Sequence, residues 1–363
     1  MVGEGIAFAL KNENEVTIAD YSTEKLQRLK KKLGIDTIKV DAFKEPLAPV
    51  MKGFDVVSGA LPGRLGMKVI REACKAKVDL VDNSFMEGDF YNLEKEVSNA
   101  GITVVPDAGI APGLSNAIVG RVAAEYEFLE NVDIKVGGLP EKNIPPIGYK
   151  IVFSPIDTLD EFTRKVQIIK DGKIVDTEPG EGLEYFFVNG LGSLEAFYTN
   201  GLRSLLRNIK VKNMVEKTVR YRGHIDKMNF LKEIGMMDET RIEVSGSEVT
   251  PKEVLASVFL KNLSFPDVRD ILYMEIRIIP AGRKDEVVYT VFDKEDPNTG
   301  YTAMTRTTGF TNAAFTRLML KGMIKEKGLA PPEIIAKDVK NFNEVLDFLG
   351  KMGIAVSTSK NAR

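Results

Sequence analysis

Thiol and imidazole are almost missing from this chain. Of 363 residues one is cysteine, Cys74, one is histidine, His224, and tryptophan is absent. A single cysteine excludes an intramolecular disulfide and a cysteine-rich metal site. Zinc enzymes draw on several His or Cys ligands, so no metal is expected. Charge of either sign is not in excess: 50 Lys and Arg face 52 Asp and Glu, a net charge of -2. Nucleic acid and anionic membranes select basic surfaces, so neither is an expected partner. No apolar run approaches the length of a membrane span and no signal peptide is visible, which makes the cytoplasm the expected compartment. The composition, 44% hydrophobic and 28% charged, is that of a globular chain long enough for two domains.

Short apolar strands alternate with helical stretches over residues 1 to about 120, the pattern of a Rossmann-type, doubly wound parallel sheet. Helices are expected at 3–11, 23–33, 64–76 and 90–100, and strands at 15–20, 37–41, 55–60, 78–82 and 102–105. The start, Met1-Val2-Gly3-Glu4-Gly5, reads as the end of a Gly-x-Gly-x-x-Gly turn entering its helix, with Gly3 as the third glycine that packs helix on sheet. Asp20 follows at the end of a strand, at the spacing of a ribose-binding carboxylate, with Ser22 beside it. The fingerprint's first strand is missing. The expectation is therefore that roughly 10 residues precede Met1 in the natural protein, forming an apolar strand and two glycines.

Asp20, Asp41, Ala60, Asp82 and Asp107 fall at or just past strand C-terminal ends, the edge where open α/β sheets bind ligands. Each acid is read equally as a turn residue or helix cap. Leu61 and Pro62, in Gly59-Ala60-Leu61-Pro62-Gly63, offer a small surface for a flat ligand, or a plain turn. Pro112 and Asn116 lie in a proline-rich entry to a helix, which is either an anion-binding turn or a domain link.

From about 130 the alternation of apolar and polar residues points to a second α+β domain with a mixed sheet. Strands are expected at 131–138, 149–154, 165–170, 183–188 and 194–199, with a hairpin over 273–292. Helices are expected over 225–262, 309–326 and 341–351. Lys150 opens one of these strands, and Arg203 sits in a loop-to-helix turn suited to a carboxylate clamp or a surface ion pair. Arg220, Tyr221 and His224 share the string Arg220-Tyr221-Arg222-Gly223-His224. The histidine reads as a proton carrier in the cleft between the domains rather than buried in a core, against the commoner structural role. Thr305 stands where a late helix begins, as a substrate contact or a cap.

Taken in order, GALPG, VPDAGIAPGLSN, GGLP, YKIVFSP, NGLRS, RYRGH, RTTGF and PPE resemble the saccharopine dehydrogenase-like family, and within it the L-lysine 6-dehydrogenase group, from Gly3 to about Glu333. The resemblance implies three segments. Residues 1–115 bind NAD(P), 116–308 bind a small amino-acid substrate and form a homodimer, and 309–363 form a helical segment returning to the first domain. It also implies an NAD-dependent oxidoreductase, with NADP as the other cofactor possible, that deaminates lysine at the ε-carbon. A saccharopine or carboxynorspermidine dehydrogenase or reductase is the enzymatic alternative. A non-catalytic dimeric binding protein is the alternative of another class. On this reading Asp107, Lys150 and His224 are the catalytic candidates and Arg203, Arg220, Tyr221 and Thr305 bind substrate. Gly3, Asp20, Ser22, Asp41, Ala60, Leu61, Pro62, Asp82, Ser84, Pro112 and Asn116 line the cofactor.

Overall fold

In the computed structural model, residues 2–151 and 154–362 are described. The chain forms two compact units, Met1–Glu125 with Thr305–Ala355, and Tyr126–Met304 with Val356–Arg363. The first unit opens with α1 (Val2–Leu10), β1 (Thr17–Asp20), α2 (Thr23–Leu33), β2 (Asp36–Lys39), α3 (Ala48–Met51) and β3 (Val56–Gly59). It continues with α4 (Gly66–Ala76), β4 (Asp79–Asp82), α5 (Glu94–Ala100), β5 (Thr103–Val105) and α6 (Leu114–Ala123). Helix α2 shows why these segments fold as they do. Ser22 Oγ accepts from Lys25 N at 3.3 Å, Leu26, Leu29 and Leu33 form a buried stripe, and Gly34 at φ 68° ends the helix.

The parallel strands fall into two sheets, β1–β2 and a four-stranded sheet running from β3 through β4 and β5 to a late two-residue strand. These two sheets correspond to the two flanks of a 3-2-1-4-5-6 order. Among the described residues β1 and β3 each leave one edge unpaired, and α1 packs against both. Behind the four-stranded sheet Val69, Ile70, Leu80, Val97 and Val104 form a closed apolar core.

The second unit contains β6 (Leu129–Pro140), α7 (Pro155–Asp160), β7 (Val166–Lys170), β8 (Lys173–Thr177), β9 (Glu184–Val188), β10 (Gly192–Tyr198), α8 (Leu205–Asn208) and β11 (Val211–Tyr221). After these come α9 (His224–Glu233), β12 (Ile242–Val244), β13 (Ser247–Val249), α10 (Pro251–Asn262), β14 (Asp270–Pro280) and β15 (Asp285–Lys294). The last elements of the chain are α11 (Ala303–Leu320), β16 (Gly328–Leu329), α12 (Pro332–Ile335), α13 (Val339–Lys351) and β17 (Val356–Ala362). The mixed sheet runs β17-β15-β14-β6-β11-β10-β9. Strand β6 is parallel to β11 and antiparallel to β14.

Several expectations move. Helix α6, expected to open the second domain, lies in the first unit. The late helix starts at Ala303, because the Asp270 carboxylate receives the N–H groups of Ala303 (2.8 Å) and Met304 (3.2 Å). The chain does not end as a helix: β17 pairs with β15 in the second unit. The expected helical stretch 225–262 is interrupted by the β12–β13 hairpin, whose turn residues Ser245 and Gly246 both have positive φ. Tyr149 to Ile151 are not in a strand, and residues 152 and 153 of that expected strand lie outside the described residues. Strand β11 was not expected at all.

Candidate active site

In the first unit the C-terminal edge of the parallel strands gathers most of the expected cofactor residues. Asp20 ends β1, and its Oδ1 receives the Ser22 N–H at 2.8 Å. Oδ2 makes no hydrogen bond among the described residues. That leaves an acceptor at the strand end that fits the hydroxyls of a ribose. Gly3 sits beside Ala60, with ordinary contact distance (3.6 Å) to spare for a Cβ. Close packing is not what Gly3 provides. Gly5 provides it instead, against helix α11, where a Cβ would lie 2.9 Å from Thr305 Cγ2 and O. Thr305 therefore takes part in the packing of α1 on α11 in the first unit.

Asp82 and Ser84 form a buried pair, with Ser84 Oγ donating to Asp82 Oδ1 at 3.0 Å. The Asp82 side chain occupies the space over Gly59, where a Cβ would meet Oδ1 at 2.0 Å. Burial pushes its carboxyl up to about 7, against the Ser84 hydrogen bonds and with Asp107 adding to the rise. Asp107 is itself buried and held at φ 52°, a backbone state that costs a non-glycine residue and is concentrated at functional sites. Arg203, in the second unit, is held similarly at φ 51°.

Four cofactor candidates make structural contacts within the chain. The Asp41 carboxylate closes its own turn through the Phe43 N–H at 3.0 Å. Leu61 packs on the unit's apolar core, and Pro62 precedes the single helical turn Gly63–Leu65. Asn116 is fully buried, accepts from the Gly113 N–H at 3.1 Å and donates to Glu333 at 3.4 Å. It thereby ties the Gly109–Gly113 turn, with its cis Ala111–Pro112 bond, to α12.

In the second unit β11 supplies a buried polar cluster. Arg220 is 3% exposed. Its Nη2 donates to Glu161 at 2.6 Å and its Nη1 to Val219 O at 2.9 Å. The guanidinium lies 4.7 Å from the Tyr149 ring centre. Arg220 is thus already matched with a carboxylate of the chain, which weakens the expected clamp on substrate. Two residues earlier on the same face of β11, Thr218 shares a 2.9 Å hydrogen bond with Thr199, which donates to Glu216 at 2.8 Å. Burial pushes the Glu216 carboxyl up to about 7, with Thr199 opposing and Glu161 adding. It pushes Glu161 up as well, against Arg220 and Arg164.

His224 does not face solvent. It is 1% exposed, between the rings of Tyr149 and Phe162 at 5.8 Å, with Nδ1 bonded to Ile147 O at 2.8 Å. Burial, reinforced by Arg220, drives its imidazole down to about 3, so it is neutral at physiological pH. A neutral, enclosed ring is poorly suited to carry protons, and the expectation of an accessible acid–base histidine gives way to a packing role. Tyr221 is also structural, buried with its hydroxyl donating to Pro140 O at 3.0 Å. Lys150 is buried, donates to Val268 O, and lies 3.8 Å from Glu295. Among the described residues no group of three or more His, Cys, Asp or Glu is placed to hold a metal. No helix there is long and apolar enough to cross a membrane.

Sequence comparison decides the family. Residues 109–354 match the saccharopine dehydrogenase C-terminal domain, and residues 1–105 match the saccharopine dehydrogenase NADP binding domain. The chain belongs to the saccharopine dehydrogenase family. This is a family of NAD(P)-linked oxidoreductases, and residues 1–105 are its nicotinamide-dinucleotide-binding domain. The chain is 24% identical to the rat mitochondrial alpha-aminoadipic semialdehyde synthase over 97% of its own length, but spans only 46% of that protein. It is 24% identical to the Saccharomyces cerevisiae saccharopine dehydrogenase [NADP(+), L-glutamate-forming], covering 89% of each chain. The fold superposes on that of the yeast L-Glu-forming enzyme with a TM-score of 0.79 at 20% identity, over 100% of this chain and 98% of the other. A homospermidine synthase from Legionella pneumophila, solved with NAD, gives 0.67 at 11% identity, over 100% and 90%.

Proposed function

We propose that this protein is an NAD(P)-dependent oxidoreductase acting on the ε-carbon–nitrogen bond of an amino acid, and that the amino acid is L-lysine. The match of both units to one family of dehydrogenases supports the chemistry. Bound NAD(P)+ supplies a hydride acceptor. The residues of the chain hold the substrate, receive the amine proton and admit the water that hydrolyses the imine to a semialdehyde and ammonia. Asp107 and Arg203, both in strained backbone, remain the candidates for contact with the substrate.

One observation favours lysine over saccharopine, whose second half carries two more carboxylates. Four buried cations of the second unit face carboxylates of the chain. Arg220 faces Glu161, Lys150 faces Glu295, Lys217 faces Asp133 and Lys252 faces Asp160. A second dicarboxylate half needs cations free to receive it. Saccharopine cleavage to glutamate is the second reading, favoured by the names of the relatives. It breaks the same ε-carbon–nitrogen bond and differs in the amine that leaves. Steady-state assays with each substrate separate the two. Lysine turnover with ammonia release is expected, and turnover of saccharopine alone with glutamate release replaces the first reading with the second.

NAD is the proposed cofactor, although the matching domain is described as NADP binding. The unshared Asp20 Oδ2 accepts ribose hydroxyls and repels a 2′-phosphate. Asp20→Ala is expected to raise the dissociation constant of NAD by about tenfold and to leave that of NADP unchanged or lower. A parent protein that binds NADP more tightly than NAD, by fluorescence titration of the reduced forms, contradicts the assignment. The reading also carries a cytoplasmic homodimer formed through the second unit, whose edge strand β9 exposes Tyr185 and Phe187.

A further inference from the structure

The sign of the charge in the buried cluster around Arg220 differs from what the sequence leads one to expect. Arg220 and its neighbours read as a carboxylate clamp, yet the cluster holds two acids, Glu161 and Glu216, around one guanidinium. Arg220 is hydrogen-bonded to Glu161. Glu216, 5% exposed, forms no ion pair among the described residues and is held by neutral donors alone, Thr199 Oγ1 at 2.8 Å and the Gly201 N–H. Isolated buried carboxylates are costly and need a cation or a proton.

A second observation points to a ligand. The Nε2 of His224, 1% exposed, has no hydrogen-bond partner, and because Nδ1 must donate to the Ile147 carbonyl, Nε2 is a free acceptor, the kind of atom an ammonium donates to. Buried polar atoms are nearly always paired, and the exceptions gather where something else binds. Backbone at Gly201 is shaped around the free acid: a Cβ there would lie 2.3 Å from Glu216 Cδ and 2.5 Å from Oε2. Alanine at 201 would displace the carboxylate. The cluster reaches the surface through Glu161, whose side chain is 19% exposed.

We propose that Glu216, backed by the Glu161–Arg220 pair, is a subsite for an ammonium group of the substrate. This deepens the amine-oxidoreductase reading and rests on it. A carboxylate with no cation of its own gives the ammonium a charge-assisted partner in a low-dielectric site, where such a bond is strongest. Thr199 and Gly201 position the carboxylate and leave an oxygen lone pair for the ligand. The ionisation near neutrality noted above adds that Glu216 is able to take the proton that an amine must lose before oxidation.

The test is equilibrium binding by calorimetry at pH 8, using L-lysine and two analogues. L-Norleucine lacks the ε-amine and 6-aminohexanoate lacks the α-amine. The parent should bind lysine more tightly than at least one analogue, and Glu216→Gln should abolish that difference, weakening lysine by about 10- to 100-fold while leaving the deprived analogue unchanged. Gly201→Ala should reproduce the loss by displacing the carboxylate, which keeps the test valid if one variant folds poorly. Loss of discrimination against either analogue supports the subsite. Lysine affinity and discrimination that survive in both variants overturn it. If the discrimination depends on Glu216 but lysine is not turned over, the subsite stands and the proposed reaction falls.

Discussion

Gly113→Ala should destabilise the protein by more than about 4 kcal/mol, at the extreme of single substitutions. Gly113 has φ 138° and ψ -93°, a conformation accessible in practice only to glycine. A Cβ at this position would lie 1.9 Å from Gly109 O and 2.5 Å from Gly109 N and C. No rotamer relieves a clash between two backbone segments. The turn is also tied at both ends. Leu114 N–H donates to Gly109 O at 2.9 Å, and Asn116 holds the Gly113 N–H and reaches Glu333. Moving one residue breaks the cap of α6 and the buried Asn116–Glu333 contact together. Urea unfolding of the variant measures the effect. A loss below about 1 kcal/mol would mean that the turn is free to relax, and that its conformation is not held by the surrounding packing.

The second large effect has the opposite sign and depends on pH. Glu216 is raised from the ordinary 4.5 to about 7 by burial. Between those values the folded state holds a proton that the unfolded chain has lost. The stability contributed by this group is complete below about 4.5, falls as the pH rises, and is gone above 7. The difference is about 3 kcal/mol, on the order of 1.4 kcal/mol for each unit. Glutamine cannot ionise, so Glu216→Gln should match the parent at pH 4 and exceed its melting temperature by several degrees at pH 8, with the gap opening between 4.5 and 7. His224 acts on the other side of the profile. Its pKa is depressed from 6.5 to about 3, so its share of stability is lost as the pH falls through that range, in parent and variant alike. A gap that is constant with pH, or that widens toward acid, contradicts an uncompensated buried Glu216. A stabilised variant that binds amine poorly is the expected signature of a residue kept for function at a cost in stability.

The first unit was legible because its strands are short apolar runs ending in turns, and its helices carry regular stripes such as Leu26, Leu29 and Leu33. Periodicity and turn chemistry agreed there. Asp20, Ser22, Ala60, Asp82 and Ser84 fell at the expected strand edge for the same reason. Strand β11 was not legible. In Val-Lys-Asn-Met-Val-Glu-Lys-Thr-Val-Arg-Tyr both faces are buried, and Glu216, Lys217 and Arg220 are all taken out of solvent. Burial of charged residues erases the alternation that marks a strand, so Glu216 and the neighbouring Glu161 went unseen. The hairpin over β12 and β13 did leave a signal, the Ser245-Gly246 pair between two alternating runs. His224 was misplaced because a charged string containing a glycine resembles a surface loop. Gly223 and His224 in fact enter α9, where Glu195 receives the N–H groups of Gly223 (2.7 Å) and Ile225 (2.6 Å). Tyr149 and Phe162, distant in sequence, close over the ring. Contacts of that kind have no local signature.

The most direct test of the reading is the fate of the hydrogen on the ε-carbon. With L-lysine deuterated at that carbon, NAD as oxidant and the purified protein, the account predicts reduced nicotinamide carrying deuterium and one equivalent of ammonia for each turnover. Reduced nicotinamide carrying only protium, or formation that requires saccharopine and releases glutamate, would contradict it.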